Sequence, residues 1–545
     1  MALTGTVQTF EDLPPEAAVG AIYKIIGGTD TSFVPYYVQK SAEGVWDETV
    51  APGLENKIDP LTMPHALVRL SDGTFRFAPF SWDDRKVGDE VSNPNPGFIG
   101  RRIRGAFVNQ NRLAFLFDEN TILSGAGEFG RFFRLTVLDY LDSDPIDVAA
   151  TSSKVSILQS AVPFNDGVML FSDQTQFSMT NGESGLSATS LAIRPVTHYE
   201  VTPRASPVAL GSEVYFASDT AGHAAVYEYT RSPDSDATSA ANITAHVPRY
   251  IPAGVHKLVP AGDLNALFVL TDGDPSAIYV YQFYWVDAST KAQSAWHRWS
   301  FSEGDRVASA AYASGVLSLV ISRASGTYLE RIQLGSAGGG DITDRFPYLD
   351  RRQLVTGVYN VGTNRTTFTL PEAVLEPERF TLVRSAAYPG ELAESPIFEE
   401  DYVWVSPSVV TVTGDVSAGP VWAGLRYTTL WRPSQPYLRR QDGTAIVSGR
   451  LQLRTLKVSY RNTAAFKANV YPYGLGVTDP LRFDFTGLVV GTGALNERPK
   501  ASGDISIAVS AHAETAVVDI INDTPFGFAL QSGEWESFFW SRARV

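Results

Sequence analysis

Short apolar stretches alternate with turn residues along most of this chain. Between residues 91 and 334 one pattern recurs: a loop with Asn, Gly or Asp, an apolar stretch, a short turn and a second apolar stretch. The five instances are NQNRLAFLFDENTILSG, FNDGVMLFSDQTQFSMT, LGSEVYFASDTAGHAAVYEY, GDLNALFVLTDGDPSAIYVYQF and ASGVLSLVISRASGTYLERI. Each instance predicts a β-hairpin, because short apolar runs bounded by turn residues are typical of paired strands.

The five hairpins are evenly spaced. Their turns are aligned on Asp118, Asp173, Asp219, Asp272 and Ala324. The interval is about 50 residues, close to the length of one four-stranded propeller blade. We therefore predict a β-propeller over residues 91–334, rather than a sandwich with hairpins at irregular intervals.

The regions on either side predict other units. Residues 1–90 predict a small α+β unit, in which Asp12 caps a short helix and prolines occupy the first helical turn. The stretches AIYKIIGG, PYYVQKS and HALVRLSDGTFRFAPF alternate like strands. The small residues of Gly335–Asp341 predict a linker.

Beyond this linker the chain again alternates apolar and polar residues. RTTFTLP, YVWVSPSVVTVTG, GRLQLRTLKVSYRN, AAFKANVYPYG and GDISIAVSAHAETAVVDIIND predict sheets with one buried and one solvated face. We expect an inserted, sandwich-like or barrel-like β-rich domain at 341–455. A C-terminal β-region at 456–545 would close the propeller or form the tip of the molecule. GEWESFFWSRARV predicts a strand docked on a core or on a neighbouring subunit.

Composition supports an all-β globular protein of several domains. Hydrophobic residues make up 44% of the 545 residues and charged residues 19%, with 45 Gly and 32 Pro. The absence of cysteine excludes disulfides and thiolate chemistry. With no apparent signal peptide or membrane span, we expect a soluble protein made in the cytoplasm. The formal charge of −15 argues against a surface that grips nucleic acid.

Reactive chemistry is poorly represented. The seven histidines do not show metal-ligand spacing, so we interpret each as a surface or packed residue: His65, His198, His223, His246, His256, His297 and His512. We find no nucleophile elbow and no phosphate-binding loop. We therefore predict no catalytic residue, no cofactor and no metal.

The stretch DSDPIDVA concentrates three carboxylates, Asp142, Asp144 and Asp147. A calcium loop would need acids at alternate positions, a central Gly and a terminal Glu. A catalytic pair would need acids that face each other across a cleft. We favour turn chemistry, in which Asp and Ser cap backbone N–H groups, Pro145 fixes the chain and a strand resumes at IDVAA.

Three basic clusters and three Asn-x-Thr sequons leave alternatives open. The clusters are Arg101, Arg102 and Arg104, then Arg351 and Arg352, then Arg439 and Arg440. They could contact phosphates, but each lies near acids, and solvated or intersubunit ion pairs are the more common outcome. The sequons at Asn242, Asn364 and Asn522 are not interpreted as glycosylation sites, because no secretion signal was found.

Several of these segments carry a family resemblance. NRLAFLFDENTILSGAGEFGRFFR, LDSDPIDVAATSSKVSILQSAVPFNDGVMLFSDQTQFSM, ITAHVPRYIPAGV, GDPSAIYVYQFYW and GRLQLRTLKVSYRN occur in family order. Over most of residues 60–470 the chain resembles tail tubular protein B, the nozzle protein of short-tailed bacteriophages. Family proteins are usually longer at the N-terminus, so the resemblance implies a truncated chain or a short relative.

The resemblance implies a non-enzymatic virion component with a propeller and extra β-domains. Six copies would form a tail conduit, assembled in the host cytoplasm, which retains DNA and then releases it. The implied partners are further copies of the chain, the tail adaptor (tail tubular protein A), tail fibre protein, genomic DNA without sequence-specific binding, and the host cell surface.

Two other functions are weighed against this one. A polysaccharide-degrading propeller would need facing acids and exposed aromatics, and PIFEEDYVWV is the nearest candidate, with Glu399, Glu400, Asp401 and Trp404. Adjacent residues of a strand point to opposite faces, so this stretch is better interpreted as the start of a strand. A glycan-binding module without catalysis is the second alternative.

Overall fold

The computed structural model describes residues 2–541 except 29–32, 153, 165–166, 181–185, 188–189, 232–237, 288–289, 335–346, 390–396, 398–401, 477–479 and 487–500. The described residues form strands and two short 3-10 turns, Phe10–Asp12 and Gly262–Leu264. The all-β prediction is confirmed. The chain divides into two compact units, residues 1–338 and 339–545. None of the described helical segments has the length and apolarity of a membrane span.

The first unit begins with a four-stranded sheet and a separate hairpin. The sheet contains β1 (Gly5–Val7), β2 (Ile22–Ile25), β3 (Tyr36–Lys40) and β4 (Trp46–Thr49), and the hairpin contains β5 (His65–Arg69) and β6 (Phe75–Pro79). The predicted short helix after Asp12 is wrong. Asp12 instead ends a 3-10 turn, in which its carboxylate accepts the Thr9 N–H at 3.0 Å. Leu13 and Pro14 each precede a proline, which disfavours helical backbone, and Leu13 is extended. The next segment forms isolated turns.

Five sheets follow in sequence order, each an antiparallel meander. The first contains β7 (Ile103–Asn109), β8 (Arg112–Phe117), β9 (Asn120–Leu123) and β10 (Ile146–Ala149), and the second contains β11 (Ser160–Phe164), β12 (Gly167–Phe171), β13 (Gln176–Thr180) and β14 (Ala192–Thr197). The third contains β15 (Val208–Leu210), β16 (Glu213–Thr220), β17 (His223–Arg231) and β18 (Thr238–Asn242). The fourth contains β19 (Val255–Ala261), β20 (Ala266–Thr271), β21 (Ala277–Trp285) and β22 (Lys291–Ser300), and the fifth contains β23 (Arg306–Ala313), β24 (Val316–Arg323) and β25 (Gly326–Gln333).

The five predicted hairpins are confirmed, and they occupy equivalent places. They are the second and third strands of the five consecutive sheets. In addition, the first strands of neighbouring sheets lie side by side, β7 against β11, β11 against β15, β15 against β19 and β19 against β23. One turn residue was misplaced: Asp219 lies within β16 opposite Ala224, and the turn falls at Ala221 and Gly222, whose φ angles are positive.

Burial explains why these hairpins are so apolar. The second strands of the first four sheets are almost wholly buried on both faces, as in β20, where all six residues of ALFVLT are buried. A strand covered on both sides needs a continuous apolar run. The second strand of the fifth sheet, β24, alternates buried and half-buried residues, which matches the alternation of VLSLVISR.

Among its described residues, the second unit contains four sheets made from fourteen strands. In chain order these are β26 (Asp350–Val355), β27 (Val358–Asn360), β28 (Arg365–Thr369), β29 (Phe380–Arg384), β30 (Val403–Ser406), β31 (Val409–Thr413), β32 (Val421–Leu425), β33 (Thr429–Trp431), β34 (Gly449–Thr463), β35 (Ala465–Tyr471), β36 (Leu481–Thr486), β37 (Ala501–His512), β38 (Val517–Asn522) and β39 (Leu530–Ser541). The sheet orders are β26-β32-β29, β27-β28-β31-β30, β33-β38-β35-β36 and β37-β34-β39. Strand β34 runs across positions 455 and 456. The expected linker Gly335–Asp341 lies outside the described residues.

Candidate functional site

The DSDPIDVA stretch forms a turn that leads into β10. The Asp144 N–H donates to the Leu141 carbonyl at 2.9 Å, and the Asp144 carboxylate accepts the Leu141 N–H at 3.1 Å. This is the turn chemistry expected for Asp, with the strand resuming at Ile146. Asp144 is 2% exposed, so it is also a buried charge that requires compensation.

The three carboxylates of this stretch have different partners. Asp147 accepts the Gly97 N–H at 3.2 Å and lies 3.4 Å from the Asn120 side-chain amide. Partial burial raises the pKa of the Asp147 carboxyl. The side chain of Asp142 is exposed. The three acids therefore do not act as one paired site.

Arg112, at the start of β8, holds the DSDP turn by donating hydrogen bonds to the backbone carbonyls of that turn. Its guanidinium donates to the carbonyls of Ser124 at 2.8 Å and Asp144 at 2.6 Å, and also to the carbonyl of Asp142. Arg112 is fully buried, and burial lowers the pKa of its guanidinium. The side chain therefore replaces the ladder of hydrogen bonds that a strand would supply in this segment.

A second buried arginine, Arg131, binds the same turn from the other side. It donates to the Ser143 carbonyl at 2.8 Å and to the Phe133 carbonyl at 3.2 Å. It also pairs with Glu128 and lies 3.6 Å from the Asp144 carboxylate. The Asp144 charge is therefore compensated in place.

Arg134 completes the cluster and fixes the loop that precedes the turn. It lies 3.5 Å from the Asp144 carboxylate and donates to the Asp139 carbonyl at 2.6 Å. Its guanidinium lies 3.9 Å from the centre of the Tyr140 ring, an arrangement that gives a cation–π attraction. Thr136 and the Val137 N–H bind the Glu48 carboxylate. The loop at residues 135–141 is thus tied down at several points.

Turn residues of the repeated hairpins link consecutive sheets. The carbonyl of Asp118 accepts the Leu158 N–H at 2.7 Å, just before the second sheet, and the carbonyl of Asp173 accepts the Val201 N–H at 2.9 Å, before the third sheet. Aligning the hairpins therefore found a shared structural role for Asp118 and Asp173. Asp118 also pairs with Arg101 at 2.8 Å.

Asp272 is the most connected of these turn residues. It pairs with Arg204 at 2.6 Å and Arg306 at 2.9 Å, and lies 3.6 Å from His256. These residues precede or belong to the third, fourth and fifth sheets. The hydrogen bond from Arg204 lowers the pKa of the Asp272 carboxyl, whereas burial lowers the pKa of His256.

The histidines are dispersed. In the described part of the chain, no group of three or more His, Asp or Glu side chains could hold a metal ion. His65 stacks on Phe77, His297 lies in β22 with its pKa lowered by burial, and His512 accepts the Glu514 N–H at 3.3 Å.

Several of the remaining candidates pack or hydrogen-bond within the fold where they are described. Trp404 packs edge-on against Phe380 with ring centres 5.0 Å apart, while Glu399, Glu400 and Asp401 lie outside the described residues. Arg352 stacks over Trp422. The side chains of Asn242, Asn364 and Asn522 are bound within turns. Arg102, Arg104 and Arg440 are exposed, as is Arg439, and Arg351 has a positive φ.

Sequence reasoning missed the three arginines that hold the turn. It considered only arginines one or two positions apart, whereas Arg112, Arg131 and Arg134 are separated by longer stretches that contain apolar and aromatic residues. The available signal was their position inside NRLAFLF and GRFFRL. A basic residue buried among apolar neighbours must find several acceptors nearby.

Comparison with known proteins gives a consistent result. A model of the bacteriophage nozzle protein family matches residues 1–545. The tail tubular protein gp12 of Escherichia phage T7 is 30% identical over 567 aligned positions, which cover 99% of this chain and 69% of that protein. The resemblance inferred from the sequence is confirmed.

The solved structures resemble this chain only weakly. Yeast RCC1 bound to Kap60 has a TM-score of 0.28 at 11% identity, covering 48% of this chain and 60% of that one. Prolyl oligopeptidase B from Galerina marginata has a TM-score of 0.30 at 10% identity, covering 81% and 54%. In both, less than two thirds of the solved chain is covered, and scores this low carry no argument. The whole-length family match is decisive: this chain belongs to the bacteriophage nozzle protein family and is a structural component of a phage tail, not an enzyme.

Proposed function

We propose that six copies of this chain form the nozzle of a short phage tail, which retains DNA before infection and lets it leave on ejection. The observation that supports this most strongly is the family match over all 545 residues. The proposed partners are the tail adaptor (tail tubular protein A), tail fibre protein, passing DNA and the host surface. Assembly would take place in the host cytoplasm.

The repeated sheets support a propeller for residues 91–334. Five meanders follow one another in sequence, and their first strands form a row. In a propeller the blades are such meanders, packed around a central axis. We propose that these sheets are blades and that residues 1–90 form a separate small unit.

The domain order of the second half is also proposed. A β-rich domain at 341–455 would be followed by a C-terminal region at 456–545 that forms the tip or completes the propeller. Because β34 runs from Gly449 to Thr463, the two regions share at least one strand. Because β33 (Thr429–Trp431) also pairs with β38 of the C-terminal region, the boundary between them is placed more naturally before Thr429.

Charge supports a passage along which DNA slides. The formal charge of one chain is −15, and six chains would carry six times that charge. A wall that repels phosphate does not retain DNA through released counterions, as a basic wall would. Loops that narrow the passage would then hold the DNA mechanically until the tail engages a host.

Cryo-electron microscopy of virions before and after ejection tests the proposal. We expect a six-fold ring of this chain whose bore is closed by protein in the resting tail and open after ejection. An unobstructed bore in the resting tail would contradict the retention step. A ring with another number of subunits would contradict the hexamer.

A second candidate function is glycan binding by the second unit. Phe538 and Trp540 are exposed on β39, with ring centres 6.0 Å apart. Arg450 and Gln452 lie opposite them on β34, and an open depression of about 440 Å³ is lined by Arg450, Gln452 and Trp540. Exposed flat rings beside hydrogen-bonding groups suit a sugar face. A glycan array with the chain and with Trp540→Ala distinguishes this function from a pure conduit.

A further inference from the structure

The β5–β6 hairpin presents an apolar face that the rest of the described chain leaves largely exposed. The register pairs Leu67 with Phe77 and Arg69 with Phe75, so these four residues lie on one face of the ribbon. We call them the hairpin face. Leu67, Phe75 and Phe77 are 65%, 63% and 70% exposed.

This exposure has an energetic consequence. The hairpin forms a sheet of only two strands, joined to no third strand among the described residues. A two-stranded ribbon is marginally stable alone in water, and a contiguous exposed apolar patch marks an interaction surface. The hairpin face therefore requires a partner surface.

The loop at residues 135–141 is a second apolar surface in the same unit. Leu135, Leu138, Tyr140 and Leu141 are all exposed. The loop is held by Arg134 and Glu48, as described above. Its apolar side chains are consequently presented by a preorganised backbone, which lowers the entropic cost of binding. We call residues 135–141 the apolar loop.

The two surfaces carry opposite charges. Arg69 lies on the hairpin face, and no ion pair joins it to any described residue. The same is true of Asp139 in the apolar loop, whose side chain accepts only the Tyr140 N–H at 2.8 Å. Both residues are exposed. The surfaces therefore match in apolar character and complement each other in charge.

We propose that the hairpin face of one copy packs against the apolar loop of a second copy. This inference rests on the proposed ring and identifies one of its subunit contacts. A contact between two different surfaces is heterologous, and such contacts generate closed rings when the rotation closes. Pairing hairpin with hairpin would bring two Arg69 charges into one contact without an acid, and pairing loop with loop would bring in two Asp139 charges without a base, so unpaired like charges disfavour a two-fold contact.

Cross-linking can test this pairing because the chain has no cysteine. One sample carries Phe75→Cys with an affinity tag, and the other carries Leu138→Cys without a tag. After mixing and treatment with a short bismaleimide, we expect a covalent product that contains one chain of each kind. Each sample treated alone should give little product, because each contact then lacks one of its two thiols.

A charge swap provides a second test with a matched control. Arg69→Glu should raise the chain concentration needed for half-assembly about tenfold, since it places like charges together. Arg76→Glu makes the same charge change on the opposite face of the hairpin and should leave that concentration unchanged. Combining Arg69→Glu with Asp139→Arg should restore assembly, as measured by sedimentation velocity.

The outcomes separate this inference from the proposed function. If the unmodified chain forms rings while the mixed thiol variants give no joint product, the pairing is wrong and the conduit stands. If rings form normally with Arg69→Glu but no longer join other tail proteins, the occupant is a different tail protein and the second-copy pairing is wrong. If the unmodified chain stays monomeric even in assembled tails, both proposals fail.

Discussion

Two neighbouring parts of the first unit reach order by opposite means. The β5–β6 hairpin is regular in its backbone, yet its side chains are exposed. Residues 124–145 contain only one isolated bridge, between Gly125 and Glu128, yet Arg112, Arg131 and Asp144 lie buried within and beneath them. Regular hydrogen bonding and burial are thus separated in these two regions, unlike in the buried second strands of the repeated sheets.

The difference shows what holds an irregular segment in place. A strand satisfies its backbone through a neighbouring strand, whereas residues 124–145 satisfy theirs through guanidinium groups that donate to several carbonyls. Buried polar groups are costly when unpaired and specific when paired. We therefore expect the irregular segment to be more sensitive to substitution than the regular hairpin.

The largest effect is expected for Arg112→Met. The methionine fills part of the space but leaves the carbonyls of Ser124, Asp142 and Asp144 without their donor. The loss should be about 3–5 kcal/mol, as for other buried charged groups whose partners remain. Native-state hydrogen exchange across residues 124–145 measures it. Arg101→Met removes an exposed pair and should cost less than about 1 kcal/mol. Equal losses of stability in the two variants would show that the buried arginine contributes no more than the exposed one.

A smaller loss is expected for Asp144→Asn. The amide keeps the size of the side chain but removes the charge that faces Arg131 and Arg134. Arg131 retains Glu128 and two carbonyls, so the loss should be about 2–3 kcal/mol. The control is Asp142→Asn, whose exposed side chain should contribute less than about 0.5 kcal/mol. A urea transition of the first unit would reveal both, and a neutral Asp144→Asn would show that the ion pairs are not needed.

The regular elements could be predicted well from the sequence, whereas the partners of the buried charges could not. The hairpins of the five sheets follow from apolar runs of fixed length with turn residues at fixed places, and both signals are local. The pairing of Asp144 with Arg131 and Arg134 depends on a loop that folds back, which no local pattern encodes. The turn at DSDP was predictable because Asp and Pro act on adjacent backbone groups. The exposure of Phe75 and Phe77 was not predictable, because their alternation is that of a buried strand.

A third and weaker effect is expected at Asp272, which belongs to an ion-pair network near the surface. The pKa of its carboxyl in the folded chain lies below the ordinary value for an aspartate, chiefly because Arg204 donates a hydrogen bond to it. A depressed carboxyl pKa stabilises the fold above the unfolded pKa, and this contribution is lost as the pH falls through the folded pKa.

Asp272→Asn should therefore cost about 1 kcal/mol at neutral pH, since Arg204 and Arg306 are more than half exposed. The variant should also lose less stability than the unmodified chain between about pH 5 and pH 2. Thermal unfolding of both chains over this range measures the difference. Parallel pH profiles would mean that the ionised Asp272 contributes nothing to folding.

The smallest effect on folding is expected for the hairpin face. In the double variant Phe75→Ser and Phe77→Ser, two exposed rings are removed and only the stacking of Phe77 on His65 is lost. At concentrations where the chain is monomeric, its free energy of unfolding should change by less than about 0.5 kcal/mol. At higher concentrations the unmodified chain should gain stability from assembly, because association stabilises only the folded state, whereas the variant should not. A large loss in the monomer would show that the hairpin face is part of its own fold, and the contrast with residues 124–145 would then disappear.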